Sequence, residues 1–236
     1  MQEEIVVKAP TTEALTPAQI TQKAEDLGVT KTEMSFGRSF ALSIMAGAFI
    51  AMGAMFFSLV VGDPALPFAI QRVLGGFLFC LGLILVVVAG AELFTGNTMI
   101  VMTAASKRIK WSAVWKNWIV VFFGNFLGAL VIVGLVFLSD MSAMNGGQVG
   151  QTMVSVAAGK MHADWLVLFA KGIMCNFLVC LGVWMAYASK TVADKILAVV
   201  FPITAFVACG FEHCVANMFF LPMGALLASC GIAPAG

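Results

Sequence analysis

Polar and apolar residues separate along this chain into long blocks. Met1–Arg38 mixes both charges with scattered apolar groups. Within it Ile20, Ala24 and Leu27, spaced by four and three, predict a short helix over Pro17–Leu27, either lying at a membrane surface or ending a solvated tail. Ser39–Gly62 then runs for 24 residues without a charge, enough for one helix to cross a hydrocarbon layer of about 30 Å. Asp63, Pro64 and Pro67 close it as a turn. Val114–Leu138, with Trp111, Trp115 and Trp118 as an interfacial belt, and Trp165–Ser189 predict two further spans.

Two segments are the wrong length for a straight span. Val73–Ser106 holds 34 residues with one charge, Glu92. As a single helix it would reach about 51 Å, too long for one crossing, and two crossings with a turn need more residues. The pattern predicts a helix interrupted over Ala91–Asn97, buried in protein or lining a cavity, where irregular backbone is tolerated at that depth. Ile196–Gly236 repeats the anomaly over 41 residues whose polar landmarks are Glu212 and His213. Gly90, Glu92 and Asn97 recur 120 positions later as Gly210, Glu212 and Asn217. One span precedes the first break and an odd number of crossings separates the two, so the halves are expected to be inverted. Broken helices at matching positions of inverted repeats point to a midplane binding site, where half-helix N-termini with free N–H groups face an anion.

Composition and charge sharpen this. The chain of 236 residues is 61% apolar and 11% charged, against roughly 45–50% and about 25% in soluble domains. That excludes a soluble enzyme, and a net charge of +1 offers no basic field for nucleic acid. The polar N-terminal stretch does not read as a cleavable signal peptide. If the N-terminus is cytoplasmic and each broken segment crosses once, ten cations fall inside: Lys8, Lys23, Lys31, Arg38, Lys107, Arg108, Lys110, Lys116, Lys190 and Lys195. Arg72 and Lys160 fall outside, with Lys171 in the fourth span, a strong positive-inside bias. The six cysteines lie in apolar runs and are expected to be small buried hydrophobes, without spacing for a disulfide framework, a metal centre or a haem.

Candidate chemistry sits at the breaks. Glu92 and Glu212 are costly at membrane depth unless partnered, by roughly 2.5–3.5 kcal/mol. The simplest role for each is to accept hydrogen bonds from amides freed by its own break. His213, beside Glu212, titrates near neutrality in its ordinary state and is expected to act as a proton donor or a pH-dependent charge in a permeation path. Thr95 offers a hydroxyl to an anion or to His213, or caps the second half-helix. Lys160, in the outer loop, and Lys171, six residues into the fourth span, are candidates for drawing anions to the outer mouth, although Lys171 also fits simple snorkelling. His162 reads as a solvated loop residue. On composition alone, Phe79, Leu83, Leu93, Phe94, Val179 and Phe206 fit lipid-facing packing or dry constrictions.

These stretches resemble the formate/nitrite transporter family. The likeness rests on Ala91–Thr95, on Cys175–Met185 with Asn176, Val179, Cys180 and Trp184, and on Gly210–Met218 with His213 and Asn217, together with their spacing from Arg38 to about Met223. It implies an all-α, aquaporin-like protomer of two inverted three-helix repeats, with helices two and five broken. It also implies a homopentamer in a lipid bilayer, passage of formate, nitrite or hydrosulfide, and no cofactor. On this likeness His213 is the central histidine with Thr95 its mobile partner and gate, Asn176 lies close by, and Lys160 polarises the outer region. Leu93, Phe94 and Val179 match an inner constriction; Phe79, Leu83 and Phe206 match the outer side of the pore. Lys171 occurs in only part of the family, including nitrite-type members. The implied sixth helix is expected to be missing, since the sequence ends at Gly236 soon after the fifth. The expected division is 1–38, a cytoplasmic segment with an interfacial helix, and 39–236, a channel domain with a first repeat of about 39–138 and a second of about 165–236. The expected location is the plasma (inner) membrane, multi-pass, with no enzymatic activity. The nearest alternative is a proton-coupled secondary transporter for nitrite or another weak-acid anion.

Overall fold

The computed structural model describes residues 14–235; Lys8 of the inner cation set lies outside them. Among the described residues the secondary structure is entirely helical. Helix α1 (Pro17–Glu33) starts with a reciprocal cap, in which the Gln19 N–H donates to the Thr16 hydroxyl and the Thr16 N–H to the Gln19 side chain. It runs six residues past the predicted end and buries Ile20, Ala24 and Gly28.

Among the described residues four helices are long and apolar enough to cross a membrane: α2 (Phe36–Val61), α3 (Phe68–Ala89), α6 (Trp111–Leu138) and α8 (Trp165–Ala188). Their outward faces carry large apolar groups such as Phe123, Val131 and Leu135 on α6 and Phe169, Ile173 and Phe177 on α8. Inside, α2 and α6 approach backbone to backbone. A methyl group at Gly47 would overlap the Asn125 carbonyl, and one at Gly128 the Ile44 carbonyl. This contact brings Asn125 beside the first break.

Both overlong segments break where expected. Helix α3 ends at Gly90, whose φ of 73° lies in the left-handed region that glycine tolerates, and the Ala91 N–H turns back to the Val86 carbonyl. Extended chain through Leu93 leads to the short α4 (Phe94–Asn97) and α5 (Ile100–Ala105). The helix therefore resumes at Phe94, and the break is shorter than the Ala91–Asn97 interval read from sequence. In the second half α9 (Val192–Ala208) ends before Gly210, also at φ 73°, and the Phe211 N–H returns to the Phe206 carbonyl. Helix α10 (Cys214–Ser229) then starts at His213.

Helix α7 (Gln148–Met161) was not anticipated. Lys160 sits in its last turn rather than in a loop, and exposed His162 caps it, with Nδ1 2.7 Å from the Ala158 carbonyl. It packs on α10, close to Gly62 at the end of α2, whereas α1 packs at the opposite end on α5 and against the end of α8. The two amphipathic helices thus cover opposite ends of the bundle. The cysteine expectation needs correction. Cys80 and Cys175 are buried and Cys180 half-buried, but Cys209, Cys214 and Cys230 are exposed on the single chain. All three stand at helix ends, Cys209 and Cys230 just after α9 and α10 and Cys214 at the first position of α10, where fewer neighbours cover a side chain.

Candidate functional site

The two breaks meet at the centre of the molecule. Leu93 starts α4 and His213 starts α10, and Thr95 lies 2.9 Å from His213 through its Oγ1 and the Nε2 of the ring. Both residues are buried, Thr95 at 4% and His213 at 3% exposure. The Ala216 N–H donates to His213 Nδ1 at 3.0 Å, so that nitrogen is an acceptor and the ring serves as the cap of α10. In the neutral ring the remaining proton then lies on Nε2 and is donated to Thr95, which leaves the Thr95 hydroxyl hydrogen available to a third group. Phe206 stacks on His213 at 5.7 Å, and Phe79 meets Phe206 edge-on at the same distance.

Asn176 reaches the same centre indirectly. Its Nδ2 donates to Thr98 Oγ1 at 3.0 Å, and Thr98 donates to the Thr95 carbonyl at 2.7 Å. The buried Asn176 Oδ1 has no partner among the described residues. Val179, one turn along α8, is fully buried beside it.

The carboxylates do not bind the amides of their own breaks, contrary to the simplest expectation. Glu92 forms an ion pair with Lys31 of α1 at 2.6 Å and accepts from Asn97 Nδ2 at 2.7 Å. Glu212 forms one with Lys160 of α7 at 2.6 Å and accepts from Asn217 Nδ2 at 2.9 Å. Each amphipathic helix therefore supplies a lysine that neutralises the carboxylate of the break beneath it. The free amides go elsewhere. The Glu92 N–H donates to the Leu42 carbonyl of α2, and the Glu212 N–H to the Lys171 carbonyl of α8. Buried Asn125 of α6 completes the first break: its Oδ1 accepts the Phe94 N–H, while its Nδ2 donates to the Ser43 and Glu92 carbonyls.

A cavity lies on either side of the Thr95–His213 contact. The one beneath α7, about 350 Å³, is lined by Phe79, Phe206 and His213 with Lys160, Lys171 and Arg72. Arg72 donates from Nε to the Ala208 carbonyl and from Nη2 to the Val207 carbonyl, which ties α3 to the end of α9. The one beneath α1, about 340 Å³, is lined by Leu83, Leu93, Glu92, Lys31, Lys23 and Lys195 among others. Leu83, expected on the outer side with Phe79, lies on this opposite cavity because it sits one turn further along α3. Phe94, expected at a constriction, packs edge-on against Trp118 and Phe122 of α6. The sequence reading counted Lys31 and Arg72 only as topology charges, and it passed over Asn125 and Asn117, whose Oδ1 accepts from Asn97 Nδ2 at 3.0 Å. The two asparagines had a usable signal, since an amide inside an apolar span is costly without a partner.

No group of three or more metal-ligating side chains occurs among the described residues. The family model for the formate/nitrite transporter matches residues 18–234. The formate channel FocA of Haemophilus influenzae is 41% identical over 91% of this chain and 76% of its own length. FocA of Escherichia coli K12 is 42% identical over 90% of the chain and 75% of its own length. Among solved structures, a pentameric formate channel with formate bound superimposes with a TM-score of 0.77 at 38% identity, covering 84% of this chain and 82% of that one.

Proposed function

The chain belongs to the formate/nitrite transporter family, and from that premise we propose that it conducts small monovalent anions through its own protomer, formate foremost, with nitrite and hydrosulfide as further substrates. Membership makes it a multi-pass membrane transporter and not an enzyme. The observation that carries the reading is the Thr95–His213 contact, which closes the centre between two cavities that both hold cations. The reading includes an aquaporin-like arrangement of inverted repeats, about 39–138 and about 165–236, preceded by a cytoplasmic segment of residues 1–38. It also includes a homopentamer in the plasma membrane with α1 on the cytoplasmic side. The identical φ of Gly90 and Gly210, the paired Lys–Glu–Asn clusters and the opposite placement of α1 and α7 support the repeats.

The permeation steps follow from desolvation and hydrogen bonding. A bare anion loses far more hydration energy in the dry centre than a neutral acid does. Lys171 and Arg72, with Lys160 beside its carboxylate, draw the anion into the outer cavity, and Phe79 and Phe206 exclude its water. Leu93 and Val179 exclude water on the inner side. The anion meets the Thr95 hydroxyl hydrogen, polarised by the Nε2–H of His213. Because Nδ1 holds the Ala216 N–H, His213 takes up a second proton only as that cap opens. The imidazolium then gives its Nε2 proton to the anion and the weak acid crosses; the ring, left neutral with its proton on Nδ1, returns to its resting form when Nε2 takes a proton from the aqueous side and Nδ1 releases its own as the Ala216 cap closes again. Thr95 moves with its break and acts as the gate; Asn176, through Thr98, sets its position.

The test is uptake of formate, nitrite and hydrosulfide into proteoliposomes against external pH, with His213→Phe in parallel. Expected is uptake that rises on acidification and is lost in the variant. Full uptake with unchanged pH dependence in His213→Phe overturns the histidine mechanism, and absence of uptake for all three anions overturns the substrate reading.

A further inference from the structure

The cavity beneath α1 holds more positive charge than its own carboxylate balances. Its carboxylate, Glu92, is already neutralised by Lys31 at 2.6 Å and held by Asn97. Two more ammonium groups line the same cavity, Lys23 from α1 and Lys195 from α9. No carboxylate among the described residues lies within ion-pair distance of either. Lys23 is held in place by donating to the Tyr187 carbonyl at 2.7 Å. Tyr187, the single tyrosine of the chain, also lines the cavity, and its hydroxyl has no hydrogen-bond partner among the described residues.

Like charges gathered in a half-buried cavity repel unless something negative lies between them. Burial holds the Lys23 ammonium below its ordinary range, and the nearby Lys195 and Lys190 lower it further. The fold keeps this arrangement because α1 is tied down elsewhere, by Lys31 to Glu92 and by Arg108 to Asp26 at 2.7 Å. Two surplus cations, and a tyrosine whose hydroxyl has no partner among the described residues, in the lining of a cavity of about 340 Å³ match a small, singly charged oxyanion or halide. The other donors in the lining are taken, Lys31 and Asn97 by Glu92 and by each other and Thr30 by the Asp26 carbonyl, which leaves few for a larger or multiply charged anion.

We propose that this cavity contains an inner anion-binding site formed by Lys23, Lys195 and the Tyr187 hydroxyl, and that an anion held there fastens α1 over the cavity. Lys23 rides on α1 and Lys195 on α9, so the anion bridges the covering helix to the bundle. Departure of α1 removes one of the two cations, which links occupancy to docking in both directions. The site deepens the transport reading, resting on it only for the choice of formate as probe.

Hydrogen–deuterium exchange of the full chain in proteoliposomes tests this, with sodium formate compared against sodium gluconate at equal ionic strength. Formate is expected to slow exchange of the α1 amides about fivefold at about four times its dissociation constant. In Lys195→Gln the two salts are expected to give the same α1 exchange. Equal protection by formate and gluconate in the wild type overturns the site, as does a formate effect that persists in Lys195→Gln. Formate uptake measured on the same vesicles separates the two readings: uptake without α1 protection sinks the inner site alone, and protection without uptake sinks the transport reading alone.

Discussion

Both ring nitrogens of His213 are engaged, and each engagement has a separate consequence. Nδ1 caps α10 through Ala216 and Nε2 meets Thr95. Thr95→Val removes the hydroxyl while keeping the shape, leaving a buried ring N–H without a partner at a cost of about 1–3 kcal/mol. Formate flux in proteoliposomes is expected to fall by about 10-fold or more, in line with losing one preorganised donor, while Thr95→Ser retains most of it. Equal flux in Thr95→Val and wild type would remove Thr95 from the path. Asn125 works on backbone instead of on substrate. Asn125→Leu strands the Phe94 N–H and the Ser43 and Glu92 carbonyls together, so a loss of about 3 kcal/mol or more is expected. Thermal unfolding in detergent would show it, and an unshifted transition would mean that the break finds other partners. Sequence reading located His213, Thr95 and both glutamates because polar groups at membrane depth stand out against their neighbours. It named Thr95 as a partner for His213 but not the lysines of the glutamates, since Lys31 and Glu92 lie 61 positions apart and Lys160 and Glu212 lie 52 apart. Nothing in local pattern encodes which lysine reaches which break.

At the scale of elements, α1 and α7 act as clamps on the two breaks. Lys31→Met leaves Glu92 buried with only Asn97, which is expected to cost about 3–5 kcal/mol. Adding Glu92→Gln should recover much of that loss, because an amide tolerates the dry site better than an unpaired carboxylate. A double-mutant cycle by thermal unfolding measures the difference, and additive losses would mean that the pair is not coupled. A second contact of α1 has its own pH signature. Arg108, donating to Asp26, holds that exposed carboxyl below its ordinary 3.8, with Gln22 assisting. A lowered folded value stabilises docking at pH above the ordinary one and loses that contribution as pH falls through the folded value. Proteolysis of α1 should therefore stay constant from neutrality to about pH 5 and rise only below 3.8. A rise already at pH 6 would assign the sensitivity to another group. Long apolar elements were readable because membrane spans have few alternatives, and both breaks followed from arithmetic on length. Helix α7 was missed because it has no long apolar run, although its buried Val149, Met153 and Ala157 repeat at four-residue spacing, a visible amphipathic pattern.

Across the whole molecule, the two halves present the same parts at matching register. Leu42 and Lys171 each lie six residues after the first residue of their helix, and each carbonyl takes the N–H of the break glutamate. The glutamate is followed five positions later by asparagine in both halves, and a lysine from a covering helix completes each cluster. Because α1 and α7 cover opposite ends, equivalence of the halves requires that one be turned over relative to the other. The inverted repeat proposed above would give an anion similar surroundings from either side: a paired lysine, two surplus cations and then the dry centre. Lys171 and Arg72 supply that surplus at one end and Lys23 and Lys195 at the other. The proposed orientation, with the α1 end cytoplasmic on the positive-inside count, predicts where chemically reactive probes should reach. Exposed Met144 lies at the α7 end and exposed Ser106 at the α1 end. With Cys209, Cys214 and Cys230 replaced by alanine, a thiol reagent that does not cross membranes should label Met144→Cys in intact cells. It should label Ser106→Cys only after the cells are opened. The reverse pattern would invert the molecule in its membrane, move Lys171 and Arg72 to the cytoplasmic mouth, and transfer the covering helix α1 to the outside.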